Sequence, residues 1–198
     1  MANNFIELAF TESVRKMQED YGTRALYEKF EARASPQNIL TTREKEFVAH
    51  RDAFYLASVG ENGWPYLQFR GGPPGFLKVL NDNVLAFADF RGNGQFISAG
   101  NFDATGKSVL FLMDYAGRKR LKIWAEAVVL RASDHPDILA QVALSDYDAS
   151  VERIFKFTVE AFDWNCPQHI TQRYTLAEVK EAAEIDPDLL RSCCPEEG

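Results

Sequence analysis

Apolar and polar positions follow two different periods along the chain, and the change falls close to Ala53. Before that point apolar residues recur at helical spacing, as in TRALYEKFEAR, where Leu26 and Phe30 share one face. Capping signals support this interpretation, because Thr11 precedes one helical run and Thr41 with Glu44 forms a capping-box pattern before another. The pattern predicts a helical N-terminal extension over about residues 10–51.

After that point the pattern alternates with a period of two, which is typical of strands. Tight-turn signals separate the strand-like runs: Asn62-Gly63, Asn81-Asp82-Asn83 and Tyr115-Ala116-Gly117-Arg118. They predict roughly six strands in consecutive hairpins, followed by a helix from Asp134 to about Leu144 and a last long strand over 154–165. Thr175 and Glu178 form a further capping box before a final helix.

Consecutive hairpins with few crossover helices favour an antiparallel barrel, since a parallel sheet needs a helix between successive strands. The predicted fold is mainly β with flanking helices. We expect one domain over 1–198, with the barrel over about 53–165 and a C-terminal loop and helix over about 166–190.

Composition narrows the function classes. The 198-residue chain is 46% hydrophobic and carries a net charge of −7, which disfavours nucleic acid as a partner. The sequence has no signal-like N-terminus and no long apolar run, so we expect a cytoplasmic protein that does not enter the membrane. Neither the cysteines nor the histidines have metal-ligand spacing, which predicts no metal site: Cys166, Cys193, Cys194, His50, His135 and His169. The adjacent pair Cys193-Cys194 has no assigned role.

One loop carries candidate chemistry. In LAFADFRGNGQFISAGN (85–101) a strand ends at Asp89, a glycine-rich loop with Arg91 follows, and a short helical segment begins after Gln95. Backbone N–H groups beside an arginine and a helix N-terminus suit a phosphate. The candidates are a dinucleotide, a nucleoside triphosphate, flavin mononucleotide (FMN), a nucleic-acid backbone, or a plain turn. The loop lacks the third glycine of a dinucleotide fingerprint, and the sequence contains no P-loop.

The stretches YLQFRGGPPGFLKVLNDNVLAFADFRGNGQFISAGN, LFLMDYAGRKRLKIWAEA and VEAFDWNCPQHITQRY carry a resemblance to a known family. They resemble the FMN-binding split barrels related to pyridoxamine 5'-phosphate oxidase, and in particular the bacterial subgroup with GGPPGF and NCPQH signatures. The resemblance covers about Arg24 to Tyr174. It implies an antiparallel split β-barrel, FMN as cofactor, and a homodimer with flavin sites at the interface.

The resemblance also implies cofactor-binding positions. Asn93, Gly94 and Gln95 stand where the oxidases typically carry Ser-Arg-Lys, so the positive charge would come from other arginines. Arg120 stands where the oxidases place a flavin-contacting glutamine. The expected cofactor-binding residues are Arg70, Lys78, Ala88, Asp89, Arg91, Asn93, Gly94, Gln95, Arg120, Trp164, Gln168 and Arg173. No catalytic residue is assigned.

The function that the resemblance implies is a flavoprotein oxidoreductase. It would pass a hydride between FMN and a reduced nicotinamide or another small substrate, which the sequence does not identify. The sequence lacks the Arg-x-His ending of the vitamin B6 oxidases, so we do not predict that activity. The alternatives are a non-catalytic flavin carrier or redox sensor, a barrel that binds single-stranded nucleic acid, and a split barrel that holds haem or deazaflavin.

Overall fold

The structure is a computed structural model that describes residues 5–34, 37–90, 94–144, 151–164 and 168–185. It divides into two compact units, and the first comprises Met1–Met113 and Arg120–Trp164. The helices of this first unit are α1 (Phe5–Ala9), α2 (Glu12–Asp20), α3 (Arg24–Glu31), α4 (Thr42–Ala49), α5 (Ile97–Thr105) and α6 (Pro136–Val142).

The strands form one mainly antiparallel sheet. Their bounds are β1 (Ala53–Val59), β2 (Pro65–Gly71), β3 (Lys78–Asn81), β4 (Val84–Phe90), β5 (Lys107–Asp114), β6 (Lys119–Arg131) and β7 (Val151–Trp164). This confirms the predicted fold class of a mainly β protein with flanking helices.

The order of the strands differs from a simple meander. The sheet runs β2-β1-β5-β6-β7-β4-β3, so the three predicted hairpins are present but are not neighbours in chain order. The last strand, β7, lies between β6 and β4 and pairs antiparallel with both. Turn chemistry fixes the hairpins locally, whereas the place of β7 depends on contacts far apart in sequence.

Local signals in the helical extension are confirmed. The Thr11 hydroxyl caps α2 by accepting a hydrogen bond from the Val14 N–H at 3.4 Å. The Thr41–Glu44 capping box is present at the start of α4. The helix predicted from Asp134 is shorter than expected, because a 3-10 turn over Ala132–Asp134 precedes α6, which begins at Pro136.

The core lies between the sheet and the helices in two clusters. The main cluster is rich in aromatic side chains, and Phe87 packs edge-on against Phe155 with ring centroids 5.3 Å apart. A smaller cluster includes Ala86, Ala88 and Ile154, with side chains of α6 packed against it. Successive residues of β4 therefore contribute to different cores, as the pleat of a strand requires.

A buried carboxylate joins α4 to the end of β7. Glu44 is buried, and its Oε1 accepts a hydrogen bond from the Trp164 indole N–H at 2.6 Å. Burial alone would raise the pKa of Glu44, but hydrogen bonds from the Thr41 hydroxyl, the Trp164 indole and backbone N–H groups outweigh it. The net pKa of Glu44 is therefore lower than usual.

The second unit comprises Asp114–Lys119 and Asn165–Gly198. Within it the Gln172 side-chain amide donates to the Ala116 carbonyl at 2.9 Å. The predicted capping box is present, since the Thr175 N–H and hydroxyl both donate to Glu178 before helix α7 (Leu176–Ile185). In the part of the chain that the structure describes, no helix is both long enough and apolar enough to span a membrane.

Candidate functional site

An open cleft in the first unit brings together polar and aromatic side chains from distant parts of the chain. It has an empty volume of about 610 Å³, which includes space open to solvent. Its walls come from β2, the end of β4, the segment that opens α5, and β7. The lining residues are Tyr66, Gln68, Arg70, Asp89, Phe90, Gly94, Gln95, Phe96, Ile97, Ser98, Ala99, Arg153 and Phe155.

A carboxylate between two guanidinium groups forms the charged centre of the cleft. Asp89 Oδ1 accepts from Arg70 Nη1 at 3.1 Å, and Asp89 Oδ2 accepts from Arg153 Nε at 3.0 Å. Asp89 and Arg153 are also direct cross-strand partners on β4 and β7. Among the charged residues that line the cleft, two arginines oppose one aspartate, which leaves a formal excess of one positive charge.

Arg70 retains unused hydrogen-bonding capacity. Its Nε is buried and has no hydrogen-bond partner among the described residues. Burial lowers the pKa of Arg70, and the neighbouring Asp89 partly opposes this shift. An arginine starts from so high a pKa that it remains charged at neutral pH. A buried guanidinium N–H without a partner is costly, so this group favours an anionic ligand.

Helix α5 directs its N-terminal end to the same cleft. Its first residues, Ile97, Ser98 and Ala99, line the cleft, and the first N–H groups of a helix have no partner within it. The N-cap residue is Phe96, whose side chain makes no capping hydrogen bond. Gly94 adopts a left-handed conformation with φ +74° and has open space around it. The helix end therefore adds partial positive charge and N–H donors to the arginine pair.

Phe96 is strained and exposed. Its φ of +53° lies in the left-handed region, which costs a residue with a side chain about 1–2 kcal/mol. The Arg153 guanidinium lies 4.6 Å from the centroid of its ring, a contact that contributes about 0.5–1 kcal/mol at an exposed site. This one contact does not offset the strain.

Two further polar groups line the cleft from β2. Ser98 is buried and its hydroxyl donates to Gln68 Oε1 at 3.1 Å, which fixes the orientation of the Gln68 amide. Tyr66 lies two residues earlier on the same face of the strand. Together with Arg70 they present one hydroxyl, one amide and one guanidinium along the strand at alternate positions.

The structure brings four of the predicted cofactor residues into the cleft: Arg70, Asp89, Gly94 and Gln95. Arg91 and Asn93 lie outside the described residues. Lys78, Ala88, Arg120 and Trp164 do not line the cleft. Ala88 is buried in the smaller core cluster, because neighbouring residues of β4 face opposite sides of the sheet.

The other predicted positions have contacts of their own. The Arg120 guanidinium lies 5.7 Å from the centre of the Phe111 ring. Trp164 binds Glu44, as described above. Gln168 and Arg173 belong to the second unit, where the Arg173 guanidinium lies 5.2 Å from the centre of the Tyr115 ring. A cofactor role for these residues stays a prediction.

Sequence reasoning did not identify Arg153, Phe96, Tyr66 or Gln68 as site residues. The alternation of β2 contains a signal for two of them, because Tyr66, Gln68 and Arg70 fall on one face of a strand. Arg153 carries no such signal, since its place depends on the pairing of β7 with β4.

No protein-family model matches the sequence, and no curated protein matches it. Two solved bacterial structures are similar to the fold. A candidate pyridoxamine 5'-phosphate oxidase of Lactobacillus delbrueckii is 19% identical; the match covers 64% of this chain and 95% of that one, with a TM-score of 0.50. HupZ of Group A Streptococcus is 14% identical; the match covers 69% of this chain and all of that one, with a TM-score of 0.50. The chain therefore has the split-barrel fold of these proteins.

Proposed function

We propose that the cleft binds FMN and that the protein is a flavoprotein oxidoreductase. The observation that carries the proposal is the pair of arginines, Arg70 and Arg153, which face one aspartate beside the N-terminus of α5. Support from the fold comes from its likeness to a candidate pyridoxamine 5'-phosphate oxidase.

The residues of the cleft fit a phosphate monoester. The buried Nε of Arg70 lacks a partner among the described residues, and the lining carries an excess positive charge. Arg153 and the first N–H groups of α5 would complete the set of donors. The aromatic side chains of Phe96 and Phe155 would form apolar walls for a planar ring.

The chemistry of the reaction would come from the flavin, whose ring exchanges a hydride with a nicotinamide or another small substrate. The protein would supply binding and orientation. Gln68, fixed by Ser98, would donate a hydrogen bond to a polar edge of the ring or its side chain. Asp89 would keep both guanidinium groups in position for the phosphate.

One observation favours the non-catalytic alternative, a flavin carrier or redox sensor. Asp89 is the one carboxylate among the described residues that line the cleft, and both its oxygens accept hydrogen bonds from arginines. Anaerobic mixing of the FMN-loaded protein with NADH and NADPH distinguishes the two functions. Bleaching of the flavin band at a catalytic rate supports the oxidoreductase, and a band unchanged by either donor supports the carrier.

The binding proposal is tested by the visible spectrum of the purified protein and by identification of any chromophore released on denaturation. Arg153→Met removes one charge-assisted contact and should weaken FMN binding at least tenfold. Arg131→Met is the matched control, because Arg131 is the cross-strand partner of Arg153 on β6 but does not line the cleft. A colourless protein that also fails to bind added FMN would rule out the flavin site.

The proposal includes a homodimer. On β2 the side chains opposite to the cleft are apolar and exposed, among them Leu67 and Phe69, and Trp64 precedes the strand. The Phe69 ring packs edge-on against Tyr55 of β1, with ring centroids 5.8 Å apart. An exposed apolar face of this kind on one side of a sheet is suited to burial against a second copy.

A further inference from the structure

Phe96 breaks two local rules at the mouth of the cleft. N-cap positions favour Ser, Thr, Asp or Asn with an extended backbone, yet here an aromatic residue occupies the N-cap in the left-handed region with φ +53° and ψ +20°. Violations of local preference in a folded chain concentrate at functional sites. We propose that Phe96 is the platform on which the planar aromatic ring of the ligand stacks, an inference that rests on the proposed binding of FMN.

The strain at Phe96 has no local structural compensation. The side chain makes no capping hydrogen bond to α5, and 55% of the residue remains exposed. Two residues earlier the chain also turns left-handed, but there Gly94 adopts the conformation without the strain that a side chain brings. A glycine or asparagine at residue 96 would suit the backbone better, so the phenyl ring is kept for a purpose other than stability.

The position of the ring indicates that purpose. One face of Phe96 covers the Arg153 guanidinium at 4.6 Å. The edges of that guanidinium are held by Asp89 through Nε at 3.0 Å and by Glu152 through Nη1 at 3.1 Å. The cation is thereby fixed from two sides, and it fixes the ring in turn. The exposure of Phe96 leaves ring surface available to a second aromatic group.

The ligand class follows from the arrangement. A phosphate bound by Arg70 and Arg153 would lie close to the exposed phenyl ring, so a suitable ligand carries both a phosphate and a planar aromatic system. FMN meets both requirements, and inorganic phosphate meets only the first. Phe96 would therefore contribute to the affinity for FMN but not to the affinity for phosphate alone.

The test uses the full-length chain and the variants Phe96→Gly, Phe96→Leu and Phe96→Trp. FMN binding is measured by quenching of flavin fluorescence, and binding of inorganic phosphate by phosphorus NMR. We expect Phe96→Gly to raise the melting temperature, because it removes the strain, while it weakens FMN binding about tenfold, or 1.4 kcal/mol. Phe96→Leu should also lose affinity for FMN, Phe96→Trp should retain it, and phosphate binding should be unchanged in all three.

Arg118→Gly is the matched control. Arg118 has a left-handed backbone with φ +49° and does not line the cleft. It should gain thermal stability in the same way and bind FMN as the natural protein does. The inference is overturned if Phe96→Gly binds FMN normally, if it melts at a lower temperature, or if it loses phosphate and FMN to the same extent. Failure of the natural protein to bind FMN would overturn the proposed function, and this inference with it.

Discussion

Asp89 and Arg70 form an ion pair, with 3.1 Å between Oδ1 and Nη1, although their strands are not neighbours in the sheet. Four strands, β1, β5, β6 and β7, separate β2 from β4 in the strand order. The sheet must therefore curl until β2 approaches β4 at the cleft. The same carboxylate binds Arg153 of the adjacent β7, so Asp89 connects the two sides of the cleft.

Replacement of Asp89 by Ala should destabilise the protein by about 3 kcal/mol or more, because it leaves two partly buried arginines facing each other. Added phosphate should restore part of the loss, and chloride at equal ionic strength should restore less. Thermal unfolding in each salt measures both effects. Glu152→Ala is the control, since Glu152 pairs with Arg153 outside the cleft. Equal rescue of both variants by phosphate would contradict an anion site at Arg70 and Arg153.

The buried Glu44 makes stability depend on acid pH. Its pKa is lower in the folded protein than in the unfolded chain, so its contribution is present above about pH 4.5 and is lost as the pH falls through the folded pKa. Glu44→Gln should cost about 1–3 kcal/mol at neutral pH and should flatten the loss of stability in acid. Urea unfolding between pH 3 and pH 7 measures the profile. The exposed Glu126, replaced by Gln, is the control, and a parallel acid slope in Glu44→Gln would refute the role.

The GGPPG segment contains a glycine that the packing requires. Gly75 has φ +75°, and a Cβ there would lie 2.9 Å from the carbonyl oxygen of Ala49. Gly75→Ala should therefore destabilise the protein by about 2 kcal/mol or more, from both conformational strain and the close approach. Gly22→Ala, with a similar φ of +70° but open space, isolates the strain and should cost about 1 kcal/mol. Chemical denaturation compares the two, and equal losses would show that the close approach is relieved.

The proposed dimer predicts an unequal response to two exposed leucines. Leu67 on β2 is 61% exposed, and Leu26 on α3 is 67% exposed. Leu67→Glu should convert the dimer to a monomer because it adds a charge to each copy at the buried face, whereas Leu26→Glu should leave the dimer unchanged. Light scattering after size-exclusion chromatography gives the masses. A natural protein that is already monomeric at micromolar concentration would refute the interface.

Local chemistry accounts for most of what the sequence predicts correctly. Both capping boxes and the Thr11 cap depend on residues within one turn of each other, and the Asn62-Gly63 turn is confirmed by the left-handed Gly63. Such signals need no knowledge of distant contacts. The hairpins and the fold class follow from them.

The parts that the sequence does not predict depend on long-range pairing. The insertion of β7 beside β4 places Arg153 opposite Asp89, and the periodicity of either strand is equally consistent with other partners. The resemblance treated Ala88 and Asp89 alike, whereas the pleat separates them onto opposite faces. Phe96 was not predicted, because an aromatic N-cap in a left-handed conformation contradicts the local preferences on which sequence reasoning depends.

The position of β7 also has a consequence for synthesis. Without this strand the sheet consists of two separate pieces, β2-β1-β5-β6 and β4-β3, with no ladder between them. A ribosome makes β7 after all the other strands, so the nascent chain presents two open edges until about its last fifty residues have emerged. Arg153 arrives with that strand. The growing polypeptide therefore has no complete anion site, and a cofactor can stabilise the fold only after the final strand has joined the two pieces.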